Sequence, residues 1–176
     1  MYPFIRMAWQ LFKHRHDPAL PLDGVHISQH YCLPWDLDLW GELNNGRTLT
    51  LFDLGRIPLA QRVGLMKVLR REHWGLTMAG ATVRYRRRVK MFHKVEMRSR
   101  ALGHDDRFMY LQQSMWRGGE AVNSVVYRGA VVDQNGIVPI ARVLVAMGAQ
   151  DWNPTLPDWV AGWIESEAKR PWPPEV

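Results

Sequence analysis

The chain has 176 residues, 47% of them hydrophobic and 23% charged, which supports one domain with its own core and argues against extended disorder. Lys and Arg number 23 against 17 Asp and Glu, a net charge of +6 that suits phosphates or an anionic surface without choosing between them. No apolar run approaches the roughly 20 residues of a spanning helix, and the single cysteine, Cys32, excludes an internal disulfide or a multi-thiolate zinc site and fits a reducing, cytoplasmic compartment.

Residues 1–24 read as an amphipathic segment and a linker. Phe4, Ile5, Ala8, Trp9, Leu11 and Phe12 stand among basic residues at helical spacing. Arg6 interrupts the apolar stretch, so the order of a signal peptide is missing. A helix docked on the domain is the plainer reading; a peripheral membrane contact through residues 1–16 is the other. Pro18, Pro21 and Gly24 then mark a linker.

The domain proper is expected over residues 25–150. A strand starts at His26, with Ile27, Gln29 and Tyr31 on one face, and Pro34 makes it bend or lie at an edge. Leu49, Phe52 and Arg56 follow at helical spacing, and Pro58 is expected to break this helix from a second one over 58–72. Five strands in an antiparallel meander are expected over 79–89, 95–102, 107–116, 121–132 and 137–147, separated by turn residues such as Gly118-Gly119 and Asp133-Gln-Asn-Gly136. The layout is one strand, a long kinked helix and a sheet that wraps it, an α+β class. Residues 151–176 form a Trp- and Pro-rich tail with a short helix.

The most informative stretch runs from Asp36-Leu-Asp38 through Gly41-Glu-Leu-Asn-Asn-Gly46 into the helix. A helix N-terminus offers unpaired N–H groups and about half a positive charge, so the amides after Asn44 can hold a carbonyl oxygen that becomes an oxyanion. Gly46 keeps a side chain out of that approach. A carboxylate just before the cap can attack the carbonyl carbon or activate a water, and Asp36 and Asp38 are the candidates. The plainer reading of the same residues is capping and turn formation.

The pattern Asp-x-Asp-x-x-Gly-x-x-Asn-Asn with an aromatic and aliphatic helix after it resembles the hotdog-fold acyl-CoA thioesterases of the 4-hydroxybenzoyl-CoA thioesterase-like branch. Similarity extends through Gly46-Arg-Thr-Leu-Thr-Leu-Phe-Asp-Leu-Gly-Arg56, Ala79-Gly-Ala-Thr-Val-Arg-Tyr-Arg-Arg-Arg88, Ala101-Leu-Gly-His-Asp-Asp106 and Leu156-Pro-Asp-Trp-Val160. The resemblance implies a hotdog fold, an antiparallel sheet around a central helix. It also implies a homodimer or dimer of dimers with the site between protomers, and metal-independent hydrolysis of an acyl-CoA to free acid and coenzyme A.

By the same resemblance Asp38 is the catalytic carboxylate, Asp36 its structural neighbour, and Asn44 and Asn45 organise the oxyanion-binding amides. Asp53 takes the place of a helix acid found in many relatives. Glu42 stands where many relatives have His. Three converging carboxylates would raise at least one pKa, and the departure motivates an alternative, a non-catalytic acyl-thioester or lipid-binding hotdog protein. No cofactor is expected beyond the coenzyme A of the substrate.

The densest basic region is Arg84-Tyr-Arg-Arg-Arg88. On a strand, Arg84, Arg86 and Arg88 would share one face, suited to the phosphates of coenzyme A or equally to a solvated surface. Nucleic acid is not an expected partner, since no stacking-aromatic motif is interleaved. His26, His30, His73, His93 and His104 show no metal-ligand spacing and read as surface or packing residues.

Overall fold

The structure is a computed structural model that describes residues 2–174; Met1, Glu175 and Val176, the outermost residues of the N-terminal segment and the tail, lie outside them. Helix α1 (Phe4–Lys13) leads into strand β1 (His26–Tyr31), which stops before Pro34 and lies at a sheet edge. A 3-10 turn, Pro34–Asp36, precedes α2 (Asn45–Arg62) and α3 (Leu65–Glu72). Then come β2 (Gly75–Tyr85), β3 (Lys94–His104), β4 (Met109–Arg117), β5 (Glu120–Asp133) and the short β6 (Gly136–Ile137). Helices α4 (Ile140–Met147) and α5 (Asp158–Ala168) end the described chain.

The sheet is antiparallel in the order β1-β3-β4-β5-β2 and packs on α2. The core between them holds Leu51, Phe52 and Leu54 against Met97, Met115 and Val125, all nearly solvent-free. Gly55 is where helix and sheet come closest. A Cβ there would lie 2.6 Å from Met97 Sδ and 2.7 Å from Ser99 Oγ, so only hydrogen fits. Gln113 reaches across and donates to the Phe52 carbonyl at 2.8 Å. Helix α5 covers the opposite face of the sheet, setting Val160 against Leu102, Tyr110 and Val126.

Three expectations are corrected. Helix α2 runs through Pro58, and the break falls at Gly64, whose φ of +84° begins α3. Proline there removes one N–H but leaves the turn intact, whereas left-handed backbone must end a helix. The five strands are not one meander: β2 lies outside β5, leaving β3, β4, β5 and the two-residue β6 in sequential order. The strand expected over 137–147 is mostly helix α4, because Ile140, Val143 and Leu144 are buried at helical spacing after Pro139.

Candidate active site

Asp36 is fully buried at the foot of β1. Its Oδ2 accepts from Arg6 Nη1 at 2.7 Å and from the Leu33 N–H at 3.0 Å, and its Oδ1 accepts from Arg47 Nε at 2.7 Å. Burial pushes such a carboxyl upward, but the Leu33 amide and the two guanidinium groups prevail and hold it below the ordinary carboxylate range. Asp36 is therefore an anionic hub that joins α1, β1 and α2, both of its oxygens engaged by these partners.

Asp38 sits on the tight turn that follows. Leu37 and Leu43 bridge across it, and Asp38 Oδ1 accepts from the N–H groups of Trp40 at 2.9 Å and Glu42 at 3.2 Å. Its other oxygen makes no hydrogen bond among the described residues. Half-buried and fixed by the turn, this carboxylate is oriented while keeping one oxygen available. The three carboxylates are held apart by different partners, for Glu42 pairs with Arg88 Nε at 3.1 Å. Against the rise expected from crowding, Asp36 moves the opposite way, held low by its amide and guanidinium partners.

Asn44 caps α2, its Oδ1 accepting from the Arg47 N–H at 2.9 Å. The N–H groups of Asn45 and Gly46 have no partner among the described residues. Both residues are exposed, and a Cβ on Gly46 would meet Asn44 Oδ1 only at an ordinary 3.4 Å. Packing does not demand this glycine; it leaves open space in front of two amides.

Beside those amides lies a hollow of about 240 Å³ whose walls include Glu42, Asn45, Thr48, Asn123 and the run Arg86 to Arg88. Of the residues singled out in the sequence, Glu42, Asn45, Arg86 and Arg88 meet here. The arginines do not alternate on a strand as expected. Arg86 and Arg87 both donate their amides to the Val122 carbonyl, at 2.9 and 3.0 Å, so β2 ends at Tyr85 and all three side chains come to one hollow. Arg87 is paired with Glu120 and Arg88 with Glu42, while the Arg86 guanidinium has no ion pair among the described residues.

Asp53 is elsewhere, about 12 Å further along α2. It is ion-paired with Arg56, and the Tyr2 hydroxyl beside it is pushed up to about 12 by burial and by the Asp53 charge. Sequence reasoning missed Tyr85, which donates to the Asn45 carbonyl at 3.0 Å, and Asn123, whose buried Oδ1 has no partner among the described residues. Tyr85 was legible only as an aromatic among arginines, and nothing marked Asn123.

His14, Asp17 and His26 bring ligand-type atoms within 4.8 Å of one another. His14 Nδ1 lies 2.7 Å from Asp17 Oδ2 and Arg62 Nη1 lies 3.1 Å from His26 Nδ1, while His14 Nε2 and His26 Nε2 are buried without a hydrogen-bond partner among the described residues. The group latches α1 to the far end of α2. Cys32 is buried, and burial, with the Asp36 charge adding to it, pushes its thiol up to about 11, which leaves it a poor nucleophile.

The thioesterase-like superfamily matches residues 32–176. Protein THEM6 of Xenopus laevis is 35% identical over 111 residues, 62% of this chain and 54% of that protein. The chain spans about half the length of the curated relatives it matches. Among solved structures, DHNA-CoA thioesterase from Staphylococcus aureus superposes with a TM-score of 0.61 at 14% identity, covering 82% of this chain and 91% of that one. The YbaW probable thioesterase from Escherichia coli gives 0.65 at 15% identity, covering 71% and 97%. These likenesses establish the hotdog fold.

Proposed function

The chain belongs to the thioesterase-like superfamily, and on that footing we propose that it hydrolyses an acyl-CoA thioester to the free carboxylic acid and coenzyme A. The observation that carries the reading is the pair of unclaimed amides, Asn45 and Gly46, opening beside a hollow ringed by arginine. A thioester carbonyl oxygen placed on those amides gains stabilisation as charge develops on it. The free oxygen of Asp38 then takes a proton from the attacking water and the C–S bond breaks, releasing the acid and the thiolate of coenzyme A; if Asp38 attacks the carbonyl carbon itself, the thiolate leaves first and water then hydrolyses the acyl–Asp38 anhydride to the acid. Backbone amides supply the electrostatic help, so this route asks for no metal. Arg86, without an ion-pair partner among the described residues, is the phosphate contact of choice, with Arg88 beside it.

The acyl chain needs a separate place. The cavity enclosed between α2 and the sheet measures only about 70 Å³, room for a few atoms. A larger hollow of about 340 Å³ opens beside β2, lined by Ile57, Met66, Leu69, Trp74, Leu76 and Met78 among others. It lies about 18 Å from Asn45 along the helix axis, a reach that suits a long apolar acyl group. Strand β2 is also the longer of the two sheet edges, eleven residues long and largely exposed. An edge of that length calls for cover, and a second copy pairing there would close the apolar hollow. Phe108 and Trp116 are not available to it, since Phe108 packs under α5 and Trp116 lies against Arg98.

Thiol release from short, medium, long and aromatic acyl-CoAs tests the reading, with turnover expected on the longer chains. Silence across the panel together with a raised melting temperature would favour a non-catalytic acyl-thioester-binding protein, the reading that the Glu42–Arg88 pair supports.

A further inference from the structure

Helix α1 leaves most of its apolar stripe outward. Toward the protein it turns Met7 and Leu11, packed on the core, together with Arg6, Gln10 and His14, and Gln10 is buried with its Oε1 unpartnered among the described residues. Toward solvent it turns Phe4, Ile5, Trp9 and Phe12, which are 71%, 88%, 59% and 55% exposed. An amphipathic helix ordinarily buries its apolar stripe. This one is held with most of that stripe outward by specific polar anchors: Arg6 on Asp36 and on the Tyr31 carbonyl, and His14 on Asp17, which Arg62 also contacts.

The exposed stripe is continuous with other aromatic surface. The Tyr2 and Phe4 rings lie 4.8 Å apart, and Tyr2 shares an open hollow with Trp35 and Leu37. Beyond Leu37, the turn that carries Asp38 displays Leu39 and Trp40, both strongly exposed. At the other end, Trp9 stacks on Phe12 and the Arg15 guanidinium lies 3.7 Å over the Phe12 ring. Residues 2–16 contain Arg6, Lys13 and Arg15 and no carboxylate. Apolar side chains flanked by cations, with no acid among them, are the pattern of a helix that lies in the interface of an anionic bilayer.

We infer that the outward face of α1, with Trp35, Leu39 and Trp40 beside it, is a docking surface for an anionic lipid bilayer, lying parallel to the membrane rather than crossing it. No described helix is long and apolar enough to cross, so the attachment is peripheral. Charge complementarity selects the occupant. A second copy docked α1 on α1 would set Lys13 and Arg15 against the same cations, since residues 2–16 hold no carboxylate to answer them, whereas anionic headgroups answer Lys13 and Arg15 directly. The surface stands independently of the hydrolytic reading.

Co-sedimentation of the full chain with vesicles tests it, using phosphatidylcholine alone and phosphatidylcholine mixed with phosphatidylglycerol. The mixed vesicles should bind the protein roughly 30-fold more strongly, the effect expected of two cations near an anionic surface. The double variant Lys13→Glu with Arg15→Glu should remove that preference. The double variant Ile5→Asp with Trp9→Asp should abolish binding to both vesicles while melting at the wild-type temperature, since both side chains are exposed. Equal sedimentation of the wild type with the two vesicles, or undiminished binding of the Ile5/Trp9 variant, would overturn the inference. So would a dimer that the Ile5/Trp9 variant dissociates, which would assign the face to a second copy.

Discussion

Arg6 places its Nη1 2.7 Å from Asp36 Oδ2 while its Nη2 donates to the Tyr31 carbonyl at 2.8 Å, so one side chain of α1 closes the end of β1 and neutralises the buried acid before α2. With Arg47 on the other oxygen, the pair sets both the docking of α1 and the position of the α2 N-terminus.

Asp36→Ala should therefore cost about 3 kcal/mol of stability, because it leaves two guanidinium groups largely buried without their counter-ion. Urea unfolding measures this, and the accompanying loss of activity should follow the loss of folded protein.

Gly55→Ala should destabilise by about 2 kcal/mol, since the added methyl meets Met97 and Ser99 well inside contact distance. A thermal melt checks it. Gly162→Ala, inside α5 where the added Cβ meets nothing within 4 Å, should instead raise stability by up to about 1 kcal/mol.

Stability should fall on acidification before the carboxylates titrate. Burial holds His26 down to about 4 and His30 down to about 3 from an ordinary 6.5. Both groups are thus neutral in the folded protein and bind protons first in the unfolded chain. Their contribution is complete above pH 6.5 and is lost as pH falls toward those lower values. Melting temperature measured from pH 7.5 to 4 should decline steadily, and the double variant His26→Gln with His30→Gln should flatten the decline. Asp36, held low, adds a second loss only at more acid pH.

Arg86→Ala should raise KM for an acyl-CoA several-fold with little change in kcat, since a phosphate contact is made equally in the ground and transition states. The same variant should show a weaker dependence of KM on salt. Equal KM in the two proteins would place coenzyme A elsewhere.

The order of strand, acidic turn, Asn cap and helix was legible because each is a local signal within 30 residues, and the hotdog class followed from the resemblance that this stretch carries. Helix α1 and strands β3, β4 and β5 were legible for the same reason, by period and by turn residues. The position of β2 outside β5 was not, since it depends on long-range pairing. Helix α4 was misread because Val and Ile favour strands by type, while their spacing, which decided the outcome, was helical. At the site, the convergence of Glu42, Asn45, Arg86 and Arg88 hinges on one irregularity, two amides sharing the Val122 carbonyl. No composition or period encodes that sharing. The outward turn of most of the α1 stripe was equally hidden, because its amphipathic pattern says that one face is apolar and not which way it faces.

The most direct measurement is thiol release from long-chain acyl-CoAs by the wild type and by Asp38→Asn. The substitution keeps the size of the side chain and the oxygen that accepts from Trp40 and Glu42. The account predicts that the variant melts like the wild type, still binds acyl-CoA, and loses turnover by at least about a hundredfold, the scale of a positioned acid–base group. Full turnover in Asp38→Asn would contradict it.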